Sequence, residues 1–313
     1  MALMKIVTPP LVAVLCVALA GPAFAEPSAC GFEKAFDRPN EQGTRTVHVY
    51  RGSASAEIGD VKPFAFVVPR VKVNTDGTRI SYHKDDPRAQ SLAINDIRNA
   101  FRNPHRPISD FEEIRDAGWQ PTSKVWEVLS PKIIEKDTRS ETAGQPCMDS
   151  KGYLVSMTAE PARDKGHQGD CDQTKWIDAL TVPAAVLPEN SQFEAGGAKV
   201  RNVVVALTLD EPRRMALGIV GDTGPENDIG EASVAMNRIL NGLPEGANPS
   251  NHSEADNKFQ GPRSILLVLP GEKNRAPRPL DAASVKAFAE ARLNAWGGRE
   301  RLEHCLSEIP EAN

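Results

Sequence analysis

The apolar, β-branched runs beyond residue 60 of this chain are short, and glycine, proline or an Asn/Asp turn closes each one. That punctuation constrains the fold more than any other feature. A helix bundle needs long 3.6-periodic segments, and a doubly wound α/β fold needs strands alternating with helices of ten residues or more. Neither pattern occurs. Residues 64–73 are apolar and β-branched, 80–82 resume the pattern, and Asn74-Thr75-Asp76-Gly77 between them is a turn signal. Residues 64–83 therefore read as a β-hairpin. Strands are expected at 152–159, 179–187, 200–209, 215–220 and 265–269, with Pro183 pushing its strand towards a sheet edge. Helical spacing appears near 89–101, 110–117 and 232–240, and again at 281–305, where Asp281 is a plausible N-cap and Gly297-Gly298 a break. Residues 85–145 read as an insertion and 241–263 as a polar loop. The expected class is mainly β, a β-rich α+β domain with helical insertions and a C-terminal helix.

The first 25 residues have the form of an export leader. Lys5 supplies a positive n-region, residues 6–20 are almost wholly apolar, and Ala23-Phe24-Ala25 is a small-x-small cleavage site before Glu26. The apolar run is too short for a comfortable membrane span. Cleavage after Ala25 predicts a secreted or periplasmic protein with no stable membrane span. It also divides the chain into a leader (1–25), an irregular polar segment (26–60) and one domain at 61–308. Removing the leader takes away one lysine and no acid, so the net charge moves from −5 to −6. A nucleic-acid partner needs a basic footprint and is not expected. Four cysteines remain, an even number that favours two disulfides in an oxidising compartment. Of three possible connectivities, Cys147–Cys171 closes a modest local loop and leaves Cys30–Cys305 to join the chain ends. A monomer is expected.

Nucleotide-binding glycine loops, zincin helices and nucleophile elbows are absent, and the six histidines show no metal-ligand spacing. No metal and no cofactor is expected. One segment stands apart: Gly221-Asp222-Thr223-Gly224-Pro225-Glu226-Asn227-Asp228-Ile229-Gly230-Glu231-Ala232-Ser233. A buried strand ends in an acid, a tight Gly/Pro turn follows, and a second acid opens a helix. Such a turn brings two carboxyls to one side of a sheet end. Glycoside hydrolysis needs one carboxyl protonated for the leaving oxygen and one ionised for water. A purely structural reading also fits, with Asp222 forming the turn and Glu231 a favourable charge at a helix N-terminus.

This segment resembles the central motif of the glycoside hydrolase family 75 chitosanases, the fungal-type endo-chitosanases. That family has a Gly-Asp-Thr turn and then Gly-Glu-Ala-Ser before a helix. Residues 71–82 with Asp76-Gly77, residues 178–188 and residues 265–271 are similar to further family segments in the same order, so the resemblance covers roughly 60–300. It implies an inverting endo-hydrolase of chitosan or a related amino-sugar polymer, with Asp222 and Glu231 as the catalytic pair. Glu231 is taken as acid and Asp222 as base, although a helix dipole at Glu231 would depress its pKa and oppose that role. The turn between the acids is shorter than in the fungal enzymes. A cationic polymer would be held by acids such as Asp76, Asp149, Asp178, Glu226 and Asp228. Thr223 beside the base is a further candidate contact, and Tyr82 and Trp176 are candidates for stacking on sugar rings. The Asp-Thr-Gly-Pro turn is also similar to that of double-psi β-barrels in cell-wall-active proteins, which implies a six-stranded barrel. Two other activities fit the same residues: a peptidoglycan-cleaving envelope enzyme, and a non-catalytic carbohydrate-binding protein of the same fold.

Overall fold

A computed structural model of the chain describes residues 30–40, 44–120, 124–136, 141–159, 171–189, 191–226 and 228–311. The leader expected at 1–25 lies outside them. The strands are β1 (Glu33–Asn40), β2 (Arg45–Arg51), β3 (Phe64–Val68), β4 (Lys72–Asn74), β5 (Tyr82–His83), β6 (Tyr153–Leu154), β7 (Ala184–Pro188), β8 (Val203–Thr208), β9 (Met215–Gly224), β10 (Glu231–Ser233) and β11 (Ser264–Leu269). The helices are α1 (Ile108–Asp116), α2 (Val125–Val128), α3 (Gln192–Ala195), α4 (Val234–Asn241), α5 (His252–Lys258), α6 (Ala282–Trp296) and α7 (Gly298–His304). The class is mainly β with helices, as the punctuated apolar runs predict.

Nine strands form one mixed sheet in the order β1-β2-β3-β11-β8-β9-β7-β10-β4, and β5 pairs with β6 apart from it. Six ladder spacings separate β3 from β4, roughly 29 Å in a flat sheet. Only residues 69–71 join them, and the four backbone steps from Val68 to Lys72 span at most about 14 Å. The sheet must therefore curl until its β4 end returns towards β3. Two contacts record this. Val71 bridges Gly261, and the Asn40 side-chain amide at the far end of the sheet donates to the Ile229 carbonyl at 2.9 Å. No ladder joins β3 to β4 among the described residues, so the expected closed six-stranded barrel is replaced by a curled nine-stranded sheet.

Both faces of the curl are covered, which is why its strands read as continuous apolar runs without alternation. Inside, Phe66, Val68, Ala185, Val204, Ala206, Val220, Ala232 and Val268 pack with Met236 and Leu240 of α4. Outside, Ala65, Val67, Val203, Val205, Leu207, Ile265 and Leu267 pack with Ala289, Leu293 and Trp296 of α6 and Leu302 of α7. Asp281 caps α6, accepting from the Ser284 amide at 2.9 Å, and Gly297 ends it. Both disulfides have the connectivity chosen from the sequence: Cys147–Cys171 and Cys30–Cys305.

Several local expectations are corrected. Among the described residues of the segment expected to be irregular, β1 and β2 pair antiparallel and extend the sheet from residue 33. Residues 64–83 are not a hairpin, because β3 pairs with β2 and β11 while β4 pairs with β10. Residues 89–101 hold only a short 3-10 turn (Ile97–Ala100), because four backbone amides of residues 90–93 donate to the Asp86 carboxylate and satisfy the chain locally. Strand β7 is interior, with Pro183 just before its first ladder residue. The polar loop 241–263 contains α5.

Candidate active site

The two motif acids lie on the outer face of the strip β9-β7-β10-β4. Asp222 pairs with Val186, Val186 with Glu231, and Glu231 with Lys72, so four side chains stand in one row across four strands. Two ladder spacings separate the acids, roughly 10 Å between main chains. A β-bulge puts Asp222 there. Ala185 pairs with Val220 but Val186 with Asp222, so Gly221 is an extra residue in β9. Strict alternation would put Asp222 on the inner face with Ala216 and Val220; the extra residue turns it outward. Only glycine fits at the bulge, because a Cβ on Gly221 would lie 2.6 Å from the Ala184 Cβ.

Glu231 does not open a helix. It begins β10, and Ser233 is the N-cap of α4, accepting from the Met236 amide at 3.2 Å. Ser233 Oγ also accepts from the Ala184 amide and donates to the Val182 carbonyl, fastening β10 to the segment leading into β7. The expected lowering of the Glu231 pKa by a helix dipole is overturned. Burial, the charges of Asp76 and Asp222, and only partial opposition from Lys72 and Lys132 carry it up to about 7. Asp222 also rises to about 7, through burial and Asp76, against amide donors at Ala159 (2.7 Å) and Thr223 (2.9 Å) and the charge of Lys132. Both carboxyls keep some solvent contact. They are recessed acids in a carboxylate-rich hollow, not groups sealed in the core.

Asp76 forms the third corner. Beyond β4, its amide donates to Asn74 Oδ1 in an Asx turn, and Gly77 follows with φ 80°. A Cβ on Gly77 would meet the Ile177 carbonyl and Thr158 Cγ2, each at 2.5 Å. The Asp76 carboxylate is buried. Oδ1 accepts from the Tyr82 hydroxyl (2.5 Å) and Asn95 Nδ2 (3.1 Å); Oδ2 accepts from Lys132 Nζ (2.8 Å). Tyr82 is fully buried, so its ring presents no face to a sugar and its hydroxyl instead holds Asp76. Trp176 is likewise buried, against Ile134, Cys147 and Val155. Asp228 is ion-paired with Lys72.

The remaining candidates fall elsewhere. Asp178 lies on the other side of the 176–182 segment, in a cleft of about 770 Å³ lined also by Arg79, Thr181 and Asp281, while Ile177 and Ala179 of that segment face the acid hollow. Burial raises the Asp178 carboxyl. Thr223 contributes its amide to Asp222, and its side chain is exposed beside a separate hollow floored by Leu187 and Phe193. Asp149 accepts from the amides of Lys151 and Tyr153 in a turn, and the Glu226 carbonyl accepts from Arg38.

Sequence reasoning missed Lys72, Asn95 and Lys132. Lys72 opens the short strand before Asp76 and is found once β4 is known to pair with β10. Asn95 and Lys132 carry no local signal, because they reach Asp76 from the insertion by tertiary contact alone. Among the described residues no group of three or more His, Cys, Asp or Glu side chains has the arrangement to hold a metal ion. No described helix is long and apolar enough to cross a membrane. No protein-family model matches this chain, and no curated protein matches it.

Proposed function

We propose that this chain is an exported glycoside hydrolase that cleaves β-1,4 linkages in chitosan or a related amino-sugar polymer with inversion at the anomeric carbon. The observation that carries the reading is the row Asp222–Val186–Glu231: two recessed carboxyls on one sheet face, two ladder spacings apart, and burial pushes each up to about 7. Two ladder spacings between the main chains leave room for a water beside the sugar, which the inverting mechanism implied by the family 75 resemblance requires. Working values near neutral suit acid and base roles in a single site. The resemblance of the 221–233 segment to the family 75 chitosanases points to the same two residues.

The surroundings favour one division of roles. Two backbone amides donate to Asp222 and stabilise its ionised form, so it is the base. Glu231 has no comparable amide donors among the described residues and is the acid. Glu231 gives its proton to the glycosidic oxygen as the C1–O bond breaks. Asp222 takes a proton from the water attacking C1 on the opposite face. The products are an inverted hemiacetal and a new hydroxyl end, and solvent exchange returns both acids to their starting states. Leader cleavage after Ala25 would deliver the enzyme to the periplasm or the medium, an oxidising setting in which both disulfides form.

A second reading follows from Asp76. Its carboxylate is already paired with Lys132, so it is not free to hold a substrate amine. That favours a sugar whose nitrogen is acetylated and uncharged, as in peptidoglycan. One experiment separates the readings: incubation of the purified chain, Asp222→Asn and Glu231→Gln with chitosan and with purified sacculi, from about pH 4 to about pH 8. Soluble oligosaccharides from chitosan, lost in both variants, support the first reading. Release from sacculi alone supports the second. No release from either polymer, or polymer binding that survives both substitutions without product, refutes hydrolysis.

A further inference from the structure

The insertion reaches the acid hollow at one charged point. Residues 132–134 run beside 155–157: the Met157 amide donates to the Lys132 carbonyl, Ile133 bridges Ser156, and the Ile134 amide donates to the Val155 carbonyl. The Cys147 amide then donates to the Ile134 carbonyl, and Cys147 is cross-linked to Cys171. Lys132 is thus held at the mouth of the hollow by main-chain bonds and a nearby disulfide. Its side chain is 49% exposed, whereas that of Asp76 below it is 7% exposed. Asn95, also from the insertion, fills a second position on the same carboxylate. Proposed catalysis uses neither residue directly.

We propose that Lys132 is a positioning residue: by neutralising Asp76 from the rim, it sets how the Asp222–Glu231 pair shares its protons. Among the described residues, the charged groups acting on the pair are Asp76, Lys132 and Lys72, the last ion-paired with Asp228, with the Tyr82 phenol behind Asp76. After burial, Asp76 pushes both carboxyls up and Lys132 draws both down. With Lys132 gone, a buried negative charge would face the pair without its counter-ion, and both acids would stay protonated to higher pH. The ammonium itself stays charged to well above the usual lysine range, chiefly because Asp76 lies beside it, so it acts as a constant and not as a titrating switch. The effect on turnover rests on the hydrolase reading; the effect on the carboxyls does not.

The test is a carboxyl-carbon NMR titration of the full chain, with circular dichroism as a check on folding. Lys132→Met is expected to raise the midpoints of both Asp222 and Glu231, by about one pH unit, the low end for loss of a nearby opposite charge. Asp76→Asn is expected to lower both. The double variant is expected to return close to the parent, and Lys132→Arg to keep the parent midpoints. A structural role alone predicts no such opposition of sign. Midpoints that stay put in a folded Lys132→Met chain, or that move the same way in both single variants, overturn the proposal. If a hydrolysed polymer is found, its pH–rate profile should move with the midpoints. If none is hydrolysed, the hydrolase reading fails while the titration still decides the role of Lys132.

Discussion

The sheet strip carrying the acids and the insertion carrying their counter-charges are built in opposite ways. In the strip, position follows from ladders. Asp222, Val186, Glu231 and Lys72 share a row because their strands are hydrogen-bonded in register, with apolar layers on both faces of the curl. The insertion has short helices around a separate cluster that includes Phe101, Phe111, Trp119 and Leu129, and the two-residue strands β5 and β6 pair with each other on either side of it in the chain. Its order comes from side chains and cross-links: Asp86 gathers four amides, and Cys147–Cys171 fastens the segment that bears Lys132. Ladders place groups to within a fraction of a residue spacing, and they fail together. Side-chain ties are local, and they fail one at a time. The acids belong where placement is strict, and a tuning charge can sit where placement is looser.

The contrast can be broken most forcefully by cavities. Phe66→Ala in the sheet and Phe111→Ala in the insertion each remove a fully buried ring and should cost about 3–5 kcal/mol. The sheet variant should lower the global denaturation midpoint. The insertion variant should speed amide exchange at 97–130 while β8 and β11 keep their protection. Equal loss of protection in both regions would mean that the two are one cooperative unit. Next in size, joint replacement of Cys147 and Cys171 by serine opens a 24-residue separation, worth about 3 kcal/mol by loop entropy. The expected result is faster exchange at 132–134 and 153–157, with little change in the sheet.

Gly221→Ala perturbs the strip itself. Its new methyl meets Ala184, so a cost of about 1–3 kcal/mol is expected, measured by urea denaturation. A change in the Asp222 titration should accompany it, since the bulge aims that side chain. A separate effect is on pH-dependent stability. Asp222 and Glu231 lose their protons near 4 in the unfolded chain and at about 7 in the folded one. The folded state therefore binds more protons between those values, and the pair's contribution to stability declines as pH rises from about 4 to about 7. Urea midpoints across that window should fall with pH, less steeply in the Asp222→Asn, Glu231→Gln double variant. A midpoint that rises just as steeply in both chains would contradict the direction of the shifts.

Much of the local grammar was legible from the residues. Strand β8, its antiparallel partner β9, strand β11, the Asp281 cap and the break at Gly297 follow from apolar runs, a capping side chain and glycine. The turn at 74–77 was also legible as a turn, but not what it joins. A hairpin was expected because Asn-Thr-Asp-Gly between apolar runs satisfies the local rule, whereas β4 bonds instead to a strand some 160 positions later. Tyr82 illustrates the limit for single side chains. As an aromatic near an acid it read as a sugar platform, and only packing reveals it as a buried hydrogen-bond donor.

By itself the sequence determined the mainly β class, the four cysteines beyond residue 25, and the pair of acids that bracket a Gly/Pro turn. These are local matters of propensity, spacing and chain order, and one short window carries each. Tertiary structure alone decided that the sheet curls open-ended, that a bulge turns Asp222 onto the face of Glu231, and that Lys132 and Asn95 close over Asp76. Strands buried on both faces lose the period-two signal that would reveal a face. A bulge is a single added residue without a signature of its own. Contacts over tens of residues are chosen by which packing of the whole chain leaves the fewest buried groups unpaired.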